Sequence, residues 1–311
     1  MLKNFFIFFI LLGVLCDNAF AFWMWTPETN KWVNPKYAVK ETPKLQLTFA
    51  RGFYKSKDYK RAIAEFNKLI STYPRSREAP EAQYYIALSW EKQDRLFEAF
   101  KAYQKVIEKY PFSERSGEVV DLEFKLGEKI LEGAGKKSIL TGDIDVLDIF
   151  RAVIKNAPYG PHAAVAQYKI GLYLQGKQLY QESRDEFEKV INDYPQSEWA
   201  KAAQYQIAAV DASRSSSAQY DQKTTQAAVE EFKELAKANP EAQLSQRAQE
   251  QIRQLREKEA QNNFVIAHFY EKQKNYKSAK IYYAAIVEKY KNTTWAMRAL
   301  EKLREMDLKI Q

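Results

Sequence analysis

One phrase recurs along this chain and limits what it can fold into. "YKRAIAEFNKLISTYPRS" starts at Tyr59, "LFEAFKAYQKVIEKYPFS" at Leu96 and "YQESRDEFEKVINDYPQS" at Tyr180. Each has a small or apolar residue, an aromatic four residues on, an aliphatic, and then Tyr-Pro. Pro74 and Pro111 are 37 residues apart, as are Pro158 and Pro195, and Pro240 follows after 45. In the last copy, Lys291 stands where proline is expected, after "YYAAIVEKY". Self-similarity at such a period marks stacked supersecondary units.

Each phrase reads as the second helix of a pair. Ala62, Phe66, Leu69 and Ile70 fall on one stripe at helical spacing. The proline beyond lacks an N–H and cannot continue the helix. A first helix precedes each phrase, with a small residue at its centre: Ala50 in "QLTFARGFY", Ala87 in "QYYIALSW", Gly171 in "QYKIGLYL", Ala208 in "QYQIAAV" and Ala267 in "NFVIAHFY". A small side chain there lets the two helices approach closely. The connections, such as "KSKDY" and "EKQDRL", are short and polar.

Two copies carry insertions, Glu132 to Asp145 and Ser213 to Gln226. Both are polar and outside the repeat pattern, so both are predicted to be mobile. A polar helix is predicted from Glu241 to Asn262, lengthening a helix and displacing the sixth copy. A last amphipathic helix, Thr294 to Lys309, sets Trp295, Leu300, Leu303 and Met306 at helical spacing, as a cap on the open end.

The pattern resembles the tetratricopeptide repeat. The first copy supplies Phe49, Ala50, Phe53, Ala62, Phe66, Leu69 and Pro74, and the second Ile86, Ala87, Trp90, Ala99, Tyr103, Val106 and Pro111. The fourth supplies Ile170, Gly171, Leu174, Ser183, Phe187, Val190 and Pro195, and the last Ile266, Ala267, Tyr270, Ala279, Tyr283 and Ile286. The resemblance implies an all-α fold, a right-handed superhelix of about six tetratricopeptide-like hairpins with a C-terminal capping helix. It also implies a protein-binding groove lined by the first helices, at Leu47, Arg51, Tyr84, Leu88, Tyr168, Leu172 and Tyr205. The tyrosines either meet a ligand there or pack between hairpins.

The first residues bear on the compartment. Phe5 to Leu15 is an apolar run too short to span a bilayer, and reads as a secretory signal. Ala19-Phe20-Ala21 suits cleavage after Ala21, whereas Leu15 fits poorly before a lipidated Cys16. The expected division is a signal peptide over 1–21, an aromatic segment over 22–42 and the repeat body over 43–311. In the aromatic segment, Trp25 and Trp32 flank a Pro/Asn turn and predict a β-hairpin. Trp23, Trp25 and Trp32 are then either an exposed docking arm or a cap on the first repeat.

Export, the Tyr-Pro-x-Ser linkers and the 37-residue spacing together resemble the BamD family of outer-membrane β-barrel assembly factors. They are also similar to the periplasmic repeat domain of the Tol-Pal-associated coordinators. The first resemblance implies a periplasmic scaffold at the periphery of the outer membrane, whose partners are the barrel-assembly core subunit and unfolded outer-membrane proteins. The second implies an adaptor for Tol-Pal or peptidoglycan-synthesis proteins.

The residues point away from catalysis. The two histidines, His162 and His268, are far apart in the chain and neither has a metal-ligand or nucleophile motif around it. "EGAGKKS" lacks the glycine spacing of a phosphate loop. No catalytic residue, metal or cofactor is expected. The net charge of +8 is spread among 48 basic and 40 acidic residues, with no basic stripe for nucleic acid.

Overall fold

The computed structural model describes residues 24–26, 31–33, 38–133, 146–217, 222–238 and 242–310. The signal segment with Cys16, Trp23 and most of the first insertion lie outside the described residues. Two short strands, β1 (Met24–Thr26) and β2 (Lys31–Val33), pair antiparallel with Trp25 opposite Trp32. The two indoles meet edge-to-face at 5.8 Å, and remain 45% and 63% exposed.

The body is all-α, as the repeat pattern predicts. Helices α1 (Pro43–Lys55) and α2 (Tyr59–Thr72) form the first hairpin, and α3 (Ala79–Glu91) and α4 (Leu96–Lys109) the second. The third is α5 (Ser116–Gly133) with α6 (Val146–Asn156), and the fourth α7 (Ala163–Gly176) with α8 (Tyr180–Asp193). Helices α9 (Glu198–Ser217) and α10 (Gln222–Ala238) make the fifth, α11 (Gln243–Lys272) and α12 (Tyr276–Lys289) the sixth, and α13 (Thr294–Ile310) follows. The chain divides into two compact units, Met1–Leu122 and Glu123–Gln311, with the boundary inside α5.

Two turns build the first, second, fourth and sixth hairpins. Between the helices of each, Lys57, Asp94, Gln178 and Lys274 take the left-handed conformation, with φ of 64°, 59°, 63° and 60°. That conformation reverses the chain in very few residues, and the next N–H bonds back to a carbonyl of the first helix, as in Asp58 to Phe53 at 2.9 Å and Arg95 to Trp90 at 3.0 Å. Between hairpins, Tyr-Pro-x-Ser closes a β-turn: the Ser76, Ser113 and Ser197 amides donate to the carbonyls of Tyr73, Tyr110 and Tyr194 at 3.1, 3.0 and 3.0 Å. Thr293 does the same to Tyr290 at 3.0 Å, so the turn forms with Lys291 in the proline's place.

The small residues sit where the helices touch. A Cβ added at Gly171 would lie 2.6 Å from Phe187 Cε1, so only glycine lets α7 and α8 close to this distance. Gly127 does the same for the third hairpin, with Phe150 Cε1 at 2.9 Å. Ala50, Ala87 and Ala267 are fully buried at the matching position. The aromatics Phe66, Tyr103, Phe187 and Tyr283 fill the space they leave.

One expectation needs correction. The Ser213 to Gln226 insertion is mostly helix: Ser213 to Ser217 extends α9, and Gln222 onward opens α10. The Ser213 hydroxyl donates a hydrogen bond to the Ala209 carbonyl at 2.8 Å, so a helix accommodates it, and Thr225 is fully buried. The polar helix predicted before the sixth copy lengthens a helix, as expected. It is continuous with that copy's first helix, giving the 30-residue α11.

Candidate functional site

The candidate groove residues all lie on the first helices of the hairpins. In the first unit Leu47, Arg51 and Leu88 are half-buried. The Arg51 guanidinium lies over the Tyr85 ring, 4.9 Å from its centre, and that ring stacks on Phe66 at 5.4 Å. Arg51 is thereby held at the surface by a cation–π contact, with its charge facing water.

Tyr84 does not line an open surface. It is 6% exposed, and its hydroxyl donates to Glu118 Oε1 at 2.5 Å. Arg115, in the turn before α5, forks onto both Glu81 oxygens at 2.8 and 3.0 Å, reaches Glu118 at 2.6 Å, and covers the Tyr84 ring at 4.6 Å. Tyr84 is thus the centre of a lock between α3 and the start of α5. The Tyr84 hydroxyl, with Arg115 beside it, holds Glu118 below the usual carboxylate range despite its partial burial. Burial and the Glu118 carboxylate push Tyr84 up.

In the second unit the same division appears. Tyr168 is buried against Phe187 and Trp199, at 5.4 and 5.0 Å, and accepts a hydrogen bond from Gln206 at 3.2 Å. Leu172 and Tyr205 remain half-buried, with Tyr205 resting on Phe232 at 5.4 Å. Of the two roles open to the tyrosines, Tyr84 and Tyr168 take the packing role. Leu47, Arg51, Leu88, Leu172 and Tyr205 keep partial access to solvent.

A family model described as an outer membrane lipoprotein, YfiO, matches residues 30–125 and 150–311. The chain belongs to the YfiO family. None of the curated proteins matches it. Among solved structures it is similar to YrrB, a tetratricopeptide-repeat protein with an unusual peptide-binding site, at 17% identity over 66% of this chain and 90% of that one, TM-score 0.34. It is similar to a tetratricopeptide-repeat protein from Parabacteroides merdae, at 13% identity over 85% and 99%, TM-score 0.36. The C-terminal part of a repeat protein from Cytophaga hutchinsonii matches at 14% identity over 83% and 88%, TM-score 0.37.

In this YfiO-family chain the histidines have structural partners. His162 stacks on Phe124 at 4.3 Å, nearly parallel. His268 Nδ1 lies 3.2 Å from Glu271, which also accepts the Tyr283 hydroxyl at 2.9 Å. The same bond recurs in the second hairpin, from Tyr103 to Glu91 at 2.8 Å. No group of acidic, histidine or cysteine side chains suited to a metal occurs among the described residues.

Sequence reasoning passed over a buried glutamine in the YfiO-family repeat. Gln46, Gln83 and Gln167 each open a quoted first-helix stretch, and each donates to the second helix. Gln83 reaches the Ala102 carbonyl at 3.0 Å, and Gln46 the Glu65 carbonyl at 3.0 Å. The signal was present: glutamine stands four residues before the small residue in each of these copies. The Tyr84 lock is directly testable. Tyr84→Phe keeps the ring under Arg115 and removes one bond to a charged acceptor, so urea unfolding should show a loss of about 1–2 kcal/mol. Unchanged stability would mean that Arg115 alone holds Glu118.

Proposed function

We propose that this chain is a non-enzymatic scaffold at the periplasmic side of the outer membrane. It helps β-barrel proteins assemble by binding the core assembly subunit and unfolded barrel segments. The observation that carries this reading is the match of an outer membrane lipoprotein family over most of the chain. A stack of helical hairpins offers extended binding surface, in keeping with a scaffold. Among the described residues no helix is long and apolar enough to cross a membrane. In this reading, attachment runs through a lipid on Cys16, through an uncleaved signal segment or through partners. Leu15 disfavours the lipid and the lipoprotein family favours it.

Each unit has its own candidate binding residues in this proposal, all half-buried: Leu47, Arg51 and Leu88 in the first, and Leu172 and Tyr205 in the second. An extended apolar segment suits the leucines, and Arg51 suits a terminal carboxylate. Trp25 and Trp32 form the docking arm of the same proposal, since both rings are exposed. Affinity purification of the tagged full-length chain from envelopes, after cross-linking, tests it. The barrel-assembly core subunit should be recovered, and Arg51→Gln with Leu88→Ala should reduce capture of barrel-tail peptides at a temperature where circular dichroism shows the variant still folded. Recovery of Tol-Pal or peptidoglycan-synthesis proteins instead would replace this reading with that of a coordinator.

A further inference from the structure

The turns between hairpins form a second kind of surface. In the second unit, the turn after α6 and the turn after α8 enclose an open cavity of about 700 Å³. Its walls include the rings of Tyr159, Tyr194 and Trp199 and the carboxylates of Asp193 and Glu198. Tyr159 is 95% exposed, because it occupies the outward corner of its β-turn, directly after Pro158.

Three observations give this corner a character of its own. First, its lining holds two acids and no lysine or arginine, on a chain whose net charge is +8. Second, neither Asp193 nor Glu198 has an ion-pair partner among the described residues. Asp193 is the last residue of α8, where a negative charge opposes the helix dipole; the corresponding ends of α2, α4, α6 and α12 carry Thr72, Lys109, Asn156 and Lys289. Third, the corresponding corner of the first unit, about 660 Å³, reverses the chemistry. Lys109 stands where Asp193 does, Arg115 where Trp199 does, and Arg77 where Pro161 does.

The corner offers little to a strand. Its amides are used by its own turns: Gly160 bonds to Ala157, Ala163 to Gly160 and Ser197 to Tyr194. Ring faces and carboxylates remain. Rings take proline well, and a polyproline II segment carries no internal hydrogen bonds and loses little entropy on docking. The carboxylates and rings together take a cation.

We propose that this corner binds an extended, proline-containing segment of a partner protein that carries a lysine or arginine. The site is independent of the proposed barrel-assembly role. Its failure would leave the first-helix surface untouched, and the failure of that role would leave this site standing.

The experiment uses the full chain and a fluorescein-labelled decapeptide of prolines with one central arginine, read by anisotropy. Matched probes carry glutamate for the arginine, or alanines for the prolines. One aromatic cation contact plus one exposed ion pair predicts about tenfold tighter binding of the arginine probe than of the glutamate probe. The alanine probe should bind more weakly than the proline probe. Tyr159→Ala should weaken binding, and Asp193→Lys with Glu198→Lys should remove the charge preference; both sets of residues are exposed, so melting should not change. Lys109→Asp, in the other corner, should leave binding as it was. The proposal is overturned if the arginine and glutamate probes bind alike, if the alanine probe matches the proline probe, if the corner variants bind as the parent does, or if no probe binds.

Discussion

Gly171→Leu is expected to be among the most damaging single changes in this chain, at about 3 kcal/mol, the upper end of ordinary overpacking. A side chain cannot enter between α7 and α8 without moving Phe187, whose ring atoms lie 2.6 to 2.8 Å from the position of the first added carbon. Phe187 is fully buried and has no room to retreat. Helix propensity alone predicts the opposite sign, since glycine inside a helix costs about 1 kcal/mol relative to alanine. Gly52 supplies the control. Nothing lies within 4 Å of an added Cβ there, so Gly52→Ala should stabilise by up to about 1 kcal/mol. Urea melts of both variants, followed by far-ultraviolet circular dichroism, read the difference. Phe187→Ala alone should cost about 3–5 kcal/mol, and combined with Gly171→Leu the losses should fall short of their sum. A Gly171→Leu variant that melts with the parent would refute the close approach.

The second large effect is expected at Arg184. This side chain of α8 is 24% exposed and pairs with Glu188 on its own helix at 3.1 Å, with Asp211 of α9 at 2.5 Å and with Glu231 of α10 at 3.3 Å. Arg184→Met preserves most of the packing but leaves three carboxylates together. Breaking a fully buried pair costs about 3–5 kcal/mol; partial solvent access here brings the expectation to about 2–3 kcal/mol near neutral pH. The loss should depend on pH. Burial pushes Glu231 up, with Arg184 pulling it down and Asp211 and Glu188 pushing it further up. The folded state therefore keeps that proton over a window where the unfolded chain has released it. Stability from this group is full below the unfolded value and falls as pH rises through the folded one. Removing Arg184 raises the folded value again and widens the window upward. The deficit of Arg184→Met should be largest near neutral pH and shrink on acidification toward the unfolded carboxylate range, and Glu231→Gln in the same background should recover part of it. A deficit constant with pH would contradict this account.

The hairpins were readable because close packing leaves a strong mark on sequence. A small residue, then a second small residue twelve positions on, then an aromatic, is what two touching helices require, and Ala50, Ala62 and Phe66 show it as plainly as Gly171, Ser183 and Phe187. The role of the tyrosines was not readable. Helix α3 buries Ala79, Ala82, Gln83, Tyr84, Ile86, Ala87 and Ser89, which cover most of its circumference. A helix enclosed in this way has no polar face, so spacing cannot separate a groove position from a packing position. Helix α1 buries only Gln46 and Ala50, and its pattern is correspondingly clearer. The Ser-rich insertion was set apart because it is polar and outside the repeat pattern, yet a serine that bonds back to a carbonyl one turn earlier, as Ser213 does, can remain in a helix. The Arg184 cluster joins residues 27 and 47 positions apart, on faces that resemble ordinary solvated surface.

The helices of this body pack chiefly against the next helix and the next but one, as α7 does with α8 and α9, and α11 with α12 and α13. Contacts so near in the chain close at low entropic cost, which favours rapid folding. The left-handed turn residues and the Tyr-Pro-x-Ser turns likewise need only their own neighbourhood to form. A polypeptide organised in this way has little need to wait for its C-terminus. As the chain is delivered from one end, each hairpin can settle on the one before it, and the core lengthens one unit at a time rather than appearing all at once.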